Sequence, residues 1–377
     1  MTNKINSKTI SLAILFGLAL AVVVISGTLP KIIDSGDSAP RENVSQIANS
    51  SSSIDGALAL GTNLHRIADW STQLPFLDAF KSSRQWITQC QQGEPGCSGS
   101  WSTNEYEKLD LDEYGWVKSL PASEDPPEYT RVSTLMFRDV ERYPGGQYVV
   151  TYEGEGTIEY KGNASKDEAA STPGRDVINV TPSKAGIHLI ITATDPNQNG
   201  QYIRNIRVVP ANYEQNYTSE IFNPDFIARI KKFQALRFMD WMGTNDSEQG
   251  EWQNRPQLAT ASYNSKTGGP PVEIMVELAN RLQVDPWFNL PHQATDEYIT
   301  KFAQIVKDNL DPNLTIYLEY SNEVWNPQFE QFHWVKDNGQ IPGGKTPYQS
   351  YGVRTAQMCD LWKGVFAQQS DRVKCVM

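Results

Sequence analysis

The sequence is short of the residues that hold metals, with 4 cysteines and 4 histidines in 377 positions. Structural zinc sites need Cys and His at close spacing. Cys90 and Cys97 stand six intervening residues apart and Cys359 and Cys375 fifteen, so no metal site is expected, and no organic cofactor either. Positive charge is also scarce, 33 Lys and Arg against 44 Asp and Glu, a formal net charge of −11. A chain this acidic is a poor match to nucleic acid, whose phosphates attract Lys and Arg. No long apolar run occurs after residue 25, which excludes a polytopic membrane protein. What is plentiful is aromatic surface, with 10 Trp and 16 Tyr. The composition suits a protein that handles uncharged ligands, and the length suits two domains.

The first 30 residues have the pattern of an export segment. Lys4 and Lys8 precede an apolar run over residues 10–25, and Ser26 and Gly27 offer a small-residue cleavage point. A cleaved signal peptide and an N-terminal membrane anchor both fit, and both make the rest of the chain secreted, periplasmic or displayed at the cell surface. Residues 31–57 are Ser-containing and aperiodic, the composition of a disordered linker. Cysteine usage agrees with export. Cys90 and Cys97 enclose Gly93, Pro95 and Gly96 and form a candidate local disulfide, with two free thiols as the alternative. Cys359 and Cys375 can join a helix to the strand after it.

Residues 129–210 alternate in short β-type stretches, 147–152, 156–160, 176–181, 187–194 and 202–209, broken by turns such as Pro144-Gly145-Gly146. This predicts an inserted all-β sandwich, either a carbohydrate binder or a structural insert. The flanks, 58–128 and 211–377, alternate strand and helix instead. Strands are expected at 60–65, 235–240, 286–290, 314–320 and 372–377, and helices at 75–87, 224–233, 272–282, 296–310 and 348–368. Such alternation predicts an α/β fold with a parallel sheet, closed barrel or open, whose functional groups belong at the carboxyl ends of the strands.

Those ends are polar in succession. The first carries Asn63 and His65, the second Arg237, Asp240 and Trp241, the third Asn289 and His292, and the fourth Asn322, Glu323 and Trp325. An Asn-Glu pair closing a fourth strand resembles the acid/base signature of the glycoside hydrolase clan that includes the family 5 cellulases. The resemblance implies a (β/α) TIM-type barrel over about residues 58–377. In it Glu323 would protonate the glycosidic oxygen, Asn322 would hold the sugar 2-hydroxyl, and Arg237 and His292 would orient the nucleophile. The wording around Phe238-Met239-Asp240-Trp241, Trp287-Phe288-Asn289 and 319–325 is also similar to secreted bacterial proteins described as cellulose-binding.

The clan's nucleophile ends its seventh strand, whereas this sequence reaches Met377 at about the fifth. The expectation is therefore a barrel truncated after about strand 5, with Asp240 as the alternative carboxylate. Glu319 is excluded as the partner of Glu323, because four residues of strand separate them by roughly 13 Å. Exposed Trp in a cleft suits the C–H faces of sugar rings. Trp241 and Trp325 are the expected ligand contacts, with Asp240, Asn63 and His65 beside them, and Trp287 is expected in the core. The expected activity is retaining hydrolysis of a β-linked polysaccharide, inactive if the nucleophile is missing. The rival readings are a non-catalytic carbohydrate-binding protein and a surface adhesion protein.

Overall fold

A computed structural model describes residues 60–121, 128–337 and 346–377. The expected export segment and linker lie outside the described residues. Among the described residues no helix is long and apolar enough to cross a membrane.

The strands, in chain order, are β1 (Gly61–Asn63), β2 (Ile87–Gln89), β3 (Arg131–Met136), β4 (Gly146–Glu153), β5 (Gly156–Gly162), β6 (Ala164–Lys166), β7 (Arg175–Val180), β8 (Ile187–Thr194), β9 (Arg204–Pro210), β10 (Ala235–Arg237), β11 (Asp285–Leu290), β12 (Ile316–Tyr320) and β13 (Val373–Val376). The helices are α1 (Pro224–Ile230), α2 (Val272–Leu282), α3 (Asp296–Asn309), α4 (Glu330–Asp337) and α5 (Pro347–Phe366).

The fold is mixed α/β. One sheet is parallel throughout, with strand order β1-β10-β11-β12-β13. Its strands follow the pleat rule that successive side chains leave opposite faces. Leu236, Phe288, Leu290, Ile316, Leu318 and Tyr320 point to one face and are buried against Met275 and Leu278 of α2, Phe302 and Val306 of α3, and Trp362 and Phe366 of α5. The alternate positions, Arg237, Trp287, Asn289, Tyr317 and Glu319, share the other face. That face is polar where a parallel sheet packed on both sides would be a continuous apolar run. The helices start on ordinary signals. Thr295 caps α3 by accepting the Tyr298 N–H, and Thr346 precedes Pro347 at the first position of α5.

Two four-stranded antiparallel sheets, β2-β3-β8-β5 and β6-β7-β4-β9, face each other across a second core built on Val132, Met136, Tyr148, Val150, Ile178, Leu189, Ile191 and Val208. Residues 129–210 contribute none of the parallel sheet's strands. The line drawn at residue 128 does not coincide with the sheets, however. β2 pairs antiparallel with β3, and Ala79, Phe80, Trp86, Trp116 and Val117 all pack into the second core.

The helix expected over 75–87 is a correction. A single 3-10 turn, Ala79–Ser82, forms there, capped by Asp78, and Ile87 opens β2. The physical reason is that the apolar residues of this segment serve two cores. Phe76 packs with the parallel sheet's cluster and Phe80 with the sandwich, an arrangement no single helix face permits.

Both cysteine pairs are disulfides, Cys90–Cys97 and Cys359–Cys375. The second ties α5 to β13.

Candidate functional site

Glu319 lies on the polar face of β12 and is the centre of the densest polar cluster. Arg237 on β10 donates to it from Nε at 3.1 Å and from Nη2 at 2.8 and 3.0 Å. The Trp287 indole N–H donates to Oε2 at 2.8 Å, and Asn289 Nδ2 donates to the same oxygen at 2.7 Å. A planar guanidinium matches a carboxylate in this forked way, which fixes direction as well as charge.

Arg237 Nη2 also donates to Asn322 Oδ1 at 2.9 Å. The Asn322 amide is thereby oriented, and its Nδ2 donates to Asn245 Oδ1 at 3.0 Å. Gln331 of α4, fully buried, donates to Asn245 Oδ1 and to the Asn322 carbonyl, both at 2.8 Å, and accepts the Asp246 N–H at 3.0 Å. An amide nitrogen carries two hydrogens. Asn322 therefore keeps one N–H without a partner among the described residues.

The chain around Asn322 is held in an uncommon shape. Ser321 and Glu323 both have left-handed backbone, φ 58° and 43°. For non-glycine residues this costs about 1–3 kcal/mol each and persists only where surroundings enforce it. Here they do. Ser321 donates its N–H to the Leu290 carbonyl at 2.8 Å, and its own carbonyl accepts from Asn289 Nδ2 at 2.9 Å. The Glu323 carbonyl accepts the Asn326 N–H at 2.8 Å. The result is an exposed Glu323 carboxylate, touched by Asn326 Nδ2 at 2.9 Å, beside a fixed Asn322 and a Trp325 that is 59% exposed.

The other expected residues divide. Asn63 and Asp240 are brought together, Nδ2 donating to Oδ2 at 2.9 Å. His65 is exposed beside the Trp70 ring. His292 is buried next to Trp334 and has no hydrogen bond to Arg237, Asn322 or Glu323. Burial pushes its pKa down to about 4, with Asp246 opposing, so the ring is neutral near pH 7.

Trp241 is a correction. It is fully buried among Phe76, Phe226 and Phe238 and is closed to any ligand. Trp287, expected in the core, instead turns its indole N–H to Glu319. Trp241 joins the core because it falls in the turn after β10, packed against Phe226 of α1.

Beside this strand-end cluster opens a cleft of about 1000 Å3. Its walls come from the segment after β1 (Arg66, Asp69, Trp70), the start of the sandwich (Arg84, Trp86), and the loops after β10 (Asp240, Asn245, Asp246, Lys266). Asp69 is buried and paired with Arg84 at 2.7 Å; burial raises its pKa and Arg84 opposes the rise.

Among the described residues the one three-member group of Cys, His, Asp or Glu side chains close enough to share an ion is Cys90, Cys97 and Glu128. Both sulfurs are spent in a disulfide, so these residues do not make a metal site.

Sequence reasoning missed the supporting roles of Glu319, Asn289, Asn245 and Gln331. For Glu319 and Asn289 a signal was present, since polar residues at every second position of a parallel strand mark a face that is not packed by helices. Asn245 and Gln331 carry none, because neither periodicity nor spacing points to them.

No protein-family model, curated protein or solved structure matches this chain.

Proposed function

We propose that the chain is an exported polysaccharide-active protein of glycosidase type, built on a (β/α) barrel, with its ligand at the carboxyl ends of the parallel strands. The observation that carries the reading is the chain of bonds from Glu319 through Arg237 to Asn322, which presents one amide N–H and the neighbouring Glu323 carboxyl at the mouth of the sheet. Sequential parallel strands with helices on one face and polar groups on the other support the barrel. Two disulfides support an oxidising compartment.

In this reading Asn322 donates to a sugar hydroxyl, Trp325 packs on a ring face, and Glu323 delivers a proton to the glycosidic oxygen. A second carboxyl is required, about 5–5.5 Å away for retention or about 6.5–9.5 Å for inversion. Glu319 does not serve, since Arg237, Trp287 and Asn289 already occupy its oxygens. Asp240 and Asp246, on the cleft wall, are the described candidates.

A second reading, carbohydrate binding without hydrolysis, is favoured by the engagement of Glu319, whose oxygens are taken by Arg237, Trp287 and Asn289 and which supplies no second carboxyl. The experiment is hydrolysis of β-glucan, mannan and xylan by the wild type and Glu323→Gln. Turnover lost in the variant with binding retained supports the glycosidase. Binding without turnover in either supports the second reading, and absence of both binding and turnover rejects the two together.

A further inference from the structure

The cleft holds a feature that a neutral glucan does not need. Ile67 and Ser265 are joined reciprocally: the Ser265 N–H donates to the Ile67 carbonyl at 2.9 Å, and the Ile67 N–H donates to Ser265 Oγ at 2.9 Å. This double link lays the two segments side by side, and Arg66 and Lys266, the residues flanking it, both line the cleft. Both side chains are exposed, and neither has a hydrogen-bond or ion-pair partner among the described residues. The chain carries 44 Asp and Glu against 33 Lys and Arg, so carboxylates to neutralise them are not in short supply. Four acids line the same cleft without doing so, Asp69 being paired with Arg84. Asp240 accepts from Asn63, Asp246 accepts the Glu330 N–H at 2.8 Å, and Glu248 stands on the same loop as Asp246.

We propose that Arg66 and Lys266 form a receptor for an anionic substituent, a carboxylate or a sulfate ester, on a polysaccharide lying in this cleft. The proposal rests on the reading of the strand-end mouth as a polysaccharide site and names the substrate class for it: an acidic glycan. Arg66 supplies a fork that matches the two oxygens of a carboxylate or sulfate, and Lys266 supplies a point charge beside it. The unpaired cations are the part of the lining that attracts such a group, and Asp240, Asp246 and Glu248 repel it. The ligand's anion also relieves the repulsion between two neighbouring unpaired cations.

The test uses the full-length, disulfide-bonded chain and affinity electrophoresis at low and high salt. The probes are a glucuronic acid-substituted xylan, the same polymer after reduction of its carboxyl groups, and a sulfated galactan. The expected result is binding of the carboxylated or the sulfated polymer at least about tenfold tighter than the reduced one, the scale of a charge-assisted contact. The margin shrinks at high salt. Preference for the first polymer identifies a carboxylate and for the galactan a sulfate ester. The double variant Arg66→Gln, Lys266→Gln should bind charged and reduced polymers alike. Its fold is checked by an unchanged thermal midpoint, as both side chains are at the surface. Equal affinity of the wild type for charged and reduced polymers overturns the proposal and leaves the site reading standing. So does a double variant that keeps the preference. Binding of none of the three overturns both.

Discussion

At the residue scale the site turns on Glu319, a carboxylate that sets the direction of Arg237 and, through it, of Asn322, the residue proposed to meet the ligand. Glu319 and Arg237 are 13% and 20% exposed, so removing one leaves the other charge largely out of water. Glu319→Leu should cost about 2–4 kcal/mol in urea unfolding, the range for stranding a partly buried charge. Arg237→Lys keeps the charge and loses the fork, since one ammonium replaces a planar group serving both Glu319 and Asn322. Glycan binding should fall at least about tenfold in Arg237→Lys while the protein stays folded by circular dichroism. Unchanged binding would show that the Asn322 amide does not depend on Arg237. Part of this was legible in the sequence. Arg237, Asn322 and Glu323 stand out because polar groups close four parallel strands in succession. The Trp241 and Trp287 roles were not legible, because an indole one residue from a polar position faces either way depending on where the strand stops, and β10 stops at Arg237.

At the scale of elements, the parallel sheet's helices were the most readable part. α3 and α5 have Thr caps, α2 has regular apolar spacing, and the observed bounds of the three, Val272–Leu282, Asp296–Asn309 and Pro347–Phe366, lie within two residues of the expected ones. The segment 75–87 defeated the same method because its apolar residues are divided between two cores. Local periodicity reports a face and does not report how many partners share it. The last strand has a covalent tether. The Cys359–Cys375 disulfide spans 16 residues between α5 and β13, and closing a loop of that length restricts the unfolded chain by about 3 kcal/mol. The double variant Cys359→Ala, Cys375→Ala should lower the thermal midpoint by several degrees, and adding reductant should lower it no further through this bridge. An unchanged midpoint would mean that β13 holds to β12 by its ladder alone.

At the scale of the molecule, the sandwich and the parallel sheet meet at Lys81, which is 6% exposed. Its ammonium donates to the Thr260 carbonyl at 2.6 Å and stands 4.3 Å over the Tyr263 ring, with Asp78 and Arg207 nearby. Burial pushes its pKa down to about 7, Arg207 adds to the fall and Asp78 opposes it. Between about pH 7 and 10.5 the unfolded chain holds a proton at this site that the folded chain has released. Stability should therefore rise with pH across that window, by about 2 kcal/mol between pH 7 and 9 for this group. Lys81→Met should flatten the rise, and an unaltered slope in urea titrations would remove Lys81 as its source. Burial also brings His188 and His292 down to about 4, so both should add stability as pH rises from about 4 to 6.5. The central claim remains that the ligand sits at the strand ends rather than on the sandwich, whose own exposed indole is Trp101, tilted against the His188 ring. The direct measurement is equilibrium binding of a panel of β-linked glycans to the wild type, Asn322→Ala, Trp325→Ala and Trp101→Ala. The account predicts a loss of at least about tenfold for Asn322→Ala and Trp325→Ala, on the scale of a hydrogen bond and a stacked ring, and none for Trp101→Ala. Binding that survives both strand-end variants and falls only with Trp101→Ala would contradict it.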